Sequence, residues 1–313
     1  MTIAAILIGY AACVGTLGAR LLGRARWTVR APLLATVTYL AAGWSVVAAL
    51  GLAGLTLAIH ATALGSGLSH LIGACVLRLR ETYGTPGGAA VAGLGLTLAG
   101  AVAARTVETA MTHLLAARQQ ARLHAETARF VGRPEPSLGA VLVEYSEPVA
   151  YCVGGRHPTV VLSTGALHAL EPAQLEAVLA HERAHLSARH HLLRAVARIG
   201  HLALPFLPLM RDADAQIARL VEMHADDAAA RASDPRSLAT ALVILATGAS
   251  PAPALAASVT DSVQRIHRLL RPAKPLGQAR RQLLRATAAT LALTPVLLAL
   301  TPALLALALG RVA

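Results

Sequence analysis

Apolar residues in this 313-residue chain fall into long unbroken runs near its two ends and into shorter, patterned stretches between them. Residues 2 to 19, 31 to 59 and 286 to 310 are each long and apolar enough to predict a membrane-crossing helix, and the Gly/Ala-rich residues 87 to 104 reach the ~18-residue threshold. Four spans are therefore expected. Residues 61 to 77 are also uncharged, but Gly, Ser and His interrupt them; with Arg78, Arg80 and Glu81 they read as an extracytoplasmic loop helix lying near the membrane surface. Between the third and fourth spans the pattern shortens. AVLVEYS (140–146), VAYCV (149–153) and TVVLS (159–163) are β-prone runs separated by turn residues that include Gly154, Gly155 and Pro158, and they predict a small sheet. LEAVLAHERAHL then predicts a helix, with Pro172 suited to its first turn and Glu171 an imperfect cap.

Composition agrees with lipid-embedded helices: 55% of residues are hydrophobic and only 3% aromatic, so Ala and Leu carry the apolarity. The net charge of +12 suggests nucleic acid at first sight, but there are few aromatics to stack bases and no nucleic-acid motif, so no direct nucleic-acid binding is expected. Cys13, Cys75 and Cys152 are odd in number and widely spaced, which indicates no disulfide framework. Cys152 reads as a small packed residue rather than a ligand or nucleophile. The first apolar run lacks a basic n-region and a cleavage site, so it reads as a retained span.

Basic residues set the expected orientation. Arg20, Arg24, Arg26 and Arg30 crowd the turn between the first two spans, whereas the next loop holds only Arg78 and Arg80, so the crowded turn should be cytoplasmic. Residues 1–104 then form three N-terminal spans with an extracytoplasmic loop at 60–86. Residues 105–285 form a cytoplasmic domain that carries 21 of the 28 Lys and Arg, and residues 286–313 form the last span. Both termini are expected outside the cytoplasm, with membrane lipids around the spans; the small residues of 87–104 permit close packing and a homodimer.

Residues 181–185, His-Glu-Arg-Ala-His, carry the sharpest chemical signal. Four apart on a helix, His181 and His185 project from one face and can grip one zinc ion, while Glu182 can reach a water held by that metal. With 13 His and 10 Glu in the chain, chance yields about 0.02 such strings.

A catalytic zinc wants a third protein ligand. His190, His191, His201, Asp212, Asp214, Glu222, His224, Asp226 and Asp227 all follow the motif. His190 and His191 are close in sequence but lack the longer gap and Gly-turn of the metzincin pattern. Glu222 in VEMHADDAAA is the better candidate, because Asp226 shares its helical face and can accept the free ring N–H of a ligand histidine. His224 points elsewhere and reads as a surface residue. With Glu222 as ligand, residues 192–210 cannot cross the membrane once; they are expected to form an apolar hairpin packed in the domain or touching the bilayer surface. An edge strand at Val160, Val161, Leu162 and Ser163 is the candidate for holding an extended substrate.

The stretch from Pro148 to Ala230, with AYCVGGRHPTVVLSTGALHALEPAQLEAVLAHERAHLSARHH followed by EMHADDAAA, resembles the BlaR/MecR-type regulatory membrane metallopeptidases and, more distantly, HtpX-like and prenyl-protein-processing membrane zinc peptidases. The resemblance implies a mostly α protein with four transmembrane helices and a cytoplasmic, gluzincin-like α+β peptidase domain. It implies one zinc per chain on His181, His185 and Glu222, Glu182 as general base and Asp226 as orienter. The substrate it implies is a cytoplasmic transcriptional repressor. Two features depart from the pattern. The chain ends three residues after Gly310 where a β-lactam receptor would continue into an extracellular sensor, so antibiotic sensing by this polypeptide alone is not expected. Asp227 stands where HtpX-like relatives often carry a basic residue. The rival readings are a quality-control protease of membrane proteins and a non-catalytic signalling scaffold; the intact Glu182 argues against the second.

Overall fold

A computed structural model describes residues 2–58, 88–155, 157–248, 255–272 and 274–309; the surface helix expected at 61–77, in the loop 60–86, lies outside them. Among the described residues, four helices are long and apolar enough to cross a membrane: α1 (Thr2–Gly23), α2 (Pro32–Ala58), the first part of α3 (Gly88–Val131) and α10 (Gln278–Leu309). A polar pin levels three of them. The Tyr10 hydroxyl donates to the Leu291 carbonyl at 3.0 Å and lies 2.9 Å from Ser45 Oγ. Each of these residues sits 13 positions from one helix end, at Gly23, Pro32 and Gln278. Those three ends therefore share one level, about 20 Å from the pin. Arg20, Arg24, Arg26, Arg30, Arg280, Arg281 and Arg285, all exposed, collect at that level.

Helix α3 does not break at residue 105 but continues to Val131. Its apolar part packs on α2 through a Gly–Gly contact: a Cβ added at Gly54 would lie 2.6 Å from both Ala99 N and Gly95 O. Small residues here let the two backbones touch, and no side-chain adjustment could make room for a larger one.

A mixed four-stranded sheet follows, formed by β1 (Arg133–Glu135), β2 (Ala140–Val143), β3 (Ala150–Val153) and β4 (Thr159–Ser163) in the order β1-β2-β4-β3. Only the β2–β4 pair is parallel. Strand β1 has no counterpart in the sequence pattern, and β2 is shorter than the apolar run at 140–146. Val160 to Ser163 are not an edge: β4 is hydrogen-bonded to β2 on one side and β3 on the other. All four residues are buried. Ser163 is occupied as well, since its hydroxyl donates to Glu147 O and accepts from Val149 N and from Ala166 N at the start of α4 (Thr164–Ala169). A strand with both backbone edges paired cannot add a substrate strand. The strand with a free edge, among the described residues, next to the helix that carries the HExxH is β3.

That helix, α5 (Pro172–Ser187), starts at Pro172, and its preceding residue Glu171 donates its N–H to the Gln174 side chain at 3.0 Å. Leu175, Leu179 and Leu186 seat it on Ala140, Cys152 and Val160 of the sheet. Residues 192–210 form the core of a helical hairpin, α6 (His190–Ala203) and α7 (Pro208–Ala232). Its tip enters the bundle of spans: Leu207 packs on Gly15, Leu209 on Gly18 and Met210 on Gly43, while Arg105 donates to Leu202 O at 3.2 Å. Gly15 is eight residues from the Gly23 end, about 12 Å in. Two helices, α8 (Pro235–Gly248) and α9 (Leu255–Leu270), complete the domain; Leu238 and Leu269 pack with Ala177 of α5 and Ala229 of α7.

Gly54→Val is expected to destabilise the α2–α3 contact by about 1–3 kcal/mol. Gly51→Ala, with nothing within 4 Å of the added carbon, is expected to be neutral or slightly stabilising. Thermal unfolding of the two variants in detergent micelles checks the difference.

Candidate active site

Three elements converge on one point. Helix α5 presents His181 and His185 from successive turns, and α7 presents Glu222 against both. His181 Nε2 lies 3.1 Å from His185 Nε2 and 3.6 Å from Glu222 Oε2, while His185 Nε2 lies 3.7 Å from Glu222 Oε1. Four ligands about 2.0–2.1 Å from a tetrahedral zinc stand about 3.4 Å from one another, so these separations bracket what one ion requires. Among the described residues, these three form a His/Cys/Asp/Glu group able to hold a metal ion.

Buried charge agrees with that fit. Glu182, Glu222 and Asp226 surround the point, and Arg265 of α9 pairs with two of them: it forks onto Asp226 at 2.7 and 2.8 Å and reaches Glu222 Oε2 at 3.2 Å. Three carboxylates against one guanidinium leave two negative charges, which a divalent cation balances. Burial depresses His181, but the Asp226 and Glu222 carboxylates outweigh it and hold the imidazole up at about 9. Glu222 is driven well below the usual carboxylate range: burial opposes this, but His181, His185 and Arg265 outweigh it. Burial raises Glu182, although both histidines resist the shift. The Cys152 thiol of β3 lies against Glu182, and burial together with that carboxylate pushes it up to about 12; it is not in the group whose ligand atoms converge.

The two histidines are backed differently. His181 Nδ1 faces Asp226 Oδ1 at 3.1 Å, close but not aligned as a full hydrogen bond. His185 Nδ1 meets His190 Nδ1 at 2.9 Å, and His190 Nε2 meets His224 Nδ1 at 2.9 Å. His224 is therefore not a surface residue; it is half-buried and paired, because α6 folds back beneath α5 and brings His190 to it. His190 faces the Nδ1 side of His185, away from the Nε2 cluster, so it is no third member of that cluster. Burial pushes His190 down to about 3, with His185 and His224 adding to the effect. His191 is exposed on the rim, where Gly154 lies so close that an added Cβ would come within 2.6 Å of its Nδ1.

Sequence reasoning missed Arg265 and Arg268. They sit 43 and 46 residues beyond Glu222 on an amphipathic helix, with no local motif; the one available signal was their spacing, three apart, opposite the adjacent acids Asp226 and Asp227. Arg268 bonds Asp227 at 2.7 Å and donates to both Met223 O and Val29 O at 3.1 Å. Met223, beside Glu222, is thereby level with the basic turn between α1 and α2.

Residues 115–210 match the family model of Peptidase family M48. The matched segment runs from α3 through the sheet and the HExxH helix to the start of α7, and it stops before Glu222, Asp226 and Arg265. No curated protein and no solved structure matches the chain. Peptidases of this family are zinc metallopeptidases, so the match and the four apolar helices together support a membrane metallopeptidase.

Asp226 is fully buried beneath Arg265, so Asp226→Ala leaves a buried guanidinium with only the partly exposed Glu222, and is expected to cost about 3 kcal/mol or more. Burial would raise the Asp226 carboxyl, but Arg265 and His181 hold it below its ordinary 3.8. Stability from this pair is therefore full above 3.8 and is lost as pH falls through the lower folded value. Unfolding midpoints measured between pH 3 and pH 7 should fall on the acid side in wild type, and Asp226→Asn should flatten that limb.

Proposed function

We propose that this chain is a membrane-bound zinc endopeptidase acting at the cytoplasmic face, and that its substrate is a transcriptional repressor. The observation that carries the enzymatic part is the convergence of His181, His185 and Glu222 on one point, with Glu182 beside it and two negative charges to balance. His181, His185 and Glu222 would hold the ion, which supplies Lewis-acid activation of water and of the scissile carbonyl. Glu182 takes the proton of the attacking water and passes it to the leaving amine; its raised carboxyl brings it nearer the range a general base needs. Asp226 and Arg265 hold His181 and Glu222 in place. The free edge of β3, beside α5, offers backbone groups to an extended substrate, the role first expected of Val160–Ser163.

Location is supported by level and charge. Glu222 lies beside Met223, level with the turn that carries Arg24, Arg26 and Arg30, and short basic loops face the cytoplasm. That orientation puts the Thr2 end of α1 outside. The repressor substrate rests on the resemblance of Pro148–Ala230 to the BlaR/MecR type.

Glu182→Gln is expected to keep stoichiometric zinc and lower kcat/KM by about 10²–10⁴-fold, whereas Glu222→Ala should lose the metal. Metal analysis of the purified proteins and a peptide-cleavage assay separate the two; a Glu182→Gln protein that cleaves normally removes the base from the mechanism. Co-expression with a candidate repressor should yield one discrete fragment. Broad degradation of membrane proteins would favour a quality-control role instead.

A further inference from the structure

We propose that His190 and His224 are positioning residues that hold His185 in the one tautomer able to bind a metal. This rests on the zinc site proposed above. The four rings form an unbroken row: His181 Nε2 to His185 Nε2 at 3.1 Å, His185 Nδ1 to His190 Nδ1 at 2.9 Å, and His190 Nε2 to His224 Nδ1 at 2.9 Å. A neutral imidazole has one N–H and one lone pair, so each contact needs a proton on one side and a lone pair on the other. The His185–His190–His224 part of the row therefore has two registers. In one, His224 donates to His190 and His190 to His185, so the remaining His185 proton sits on Nε2 and the lone pair a metal would need there is used up. In the other, His185 donates through Nδ1 to His190, His190 donates through Nε2 to His224, and the His185 Nε2 lone pair is free to face the ion.

The second register is the one zinc selects, and the His190 Nδ1 lone pair, held 2.9 Å from His185 Nδ1, sustains it. His181 is backed by the Asp226 carboxylate, and His185 by the two rings behind it.

Backbone geometry shows that the contact is built. On an uninterrupted helix, residue 190 would point about 140° away from residue 185. The chain instead turns at Arg189, whose φ of 51° makes it the single non-glycine residue at positive φ among those described. That conformation is unfavourable for a residue with a side chain and persists where surrounding contacts hold it. It returns His190 beneath His185, where His190 is 1% exposed.

Zinc affinity of the full chain in detergent micelles, titrated against a competing chelator dye, tests the role. His190→Leu, which removes the acceptor, should bind zinc about 10–100-fold more weakly than wild type. His190→Asn places a carbonyl oxygen near the lost Nδ1 and should restore most of the affinity, and His224→Ala should fall between. In zinc-loaded wild type with 15N-labelled histidine, the nitrogen shifts should show His190 protonated at Nε2 and bare at Nδ1. Should His190→Leu fail to fold, that spectrum decides alone, and the reverse protonation overturns the proposal. Wild-type affinity in a folded His190→Leu also overturns it while leaving the peptidase reading intact. A wild type that takes up no zinc removes both.

Discussion

Asp226 is the constraint on which the site depends. A carboxylate with no solvent exposure must be paired, and its partners come from two other helices: Arg265 from α9 and His181 from α5. Satisfying this one group therefore locks three helices together with His181 turned so that its Nε2 faces Glu222. Glu222, one turn earlier on α7 and likewise bound by Arg265, is carried into place by the same pairing. The two negative charges left over suit a divalent cation, and the Asp226 and Glu222 carboxylates raise the His181 imidazole above its ordinary value.

The hairpin of α6 and α7 links this centre to the spans. Its tip is wedged against Gly15, Gly18 and Gly43, residues without side chains that admit Leu207, Leu209 and Met210 to the bundle. Its base carries His190 on one arm and Glu222 on the other. Arg268 then ties α7 and α9 to the α1–α2 turn, so the site cannot move far from the basic ends of the spans.

Local pattern was informative where the fold obeys local rules. The four apolar helices, the helix bearing the HExxH and the pairing of Glu222 with Asp226 on one face follow from run length and from the 3.6-residue period. Strand order does not, because the same alternation serves a central and an edge strand; β4 was taken for the edge that β3 provides. His224 was assigned to the surface since its own helix points it away from Glu222. Only the turn at Arg189 brings His190 to cover it. Arg265 carried no local motif, only its spacing to Arg268, because nothing in its neighbourhood marks a cation that will meet a carboxylate 39 residues earlier.

By itself the sequence determined the number of apolar helices, the catalytic-type motif and the acidic pair that accompanies it, since each is a matter of residues within a few turns of one another. Tertiary structure decided which groups back each histidine, which strand edge is open, and how the buried charges are balanced. Those depend on contacts between helices far apart in the chain, and a buried charge finds its partner by where the chain folds, not by where that partner stands in the sequence.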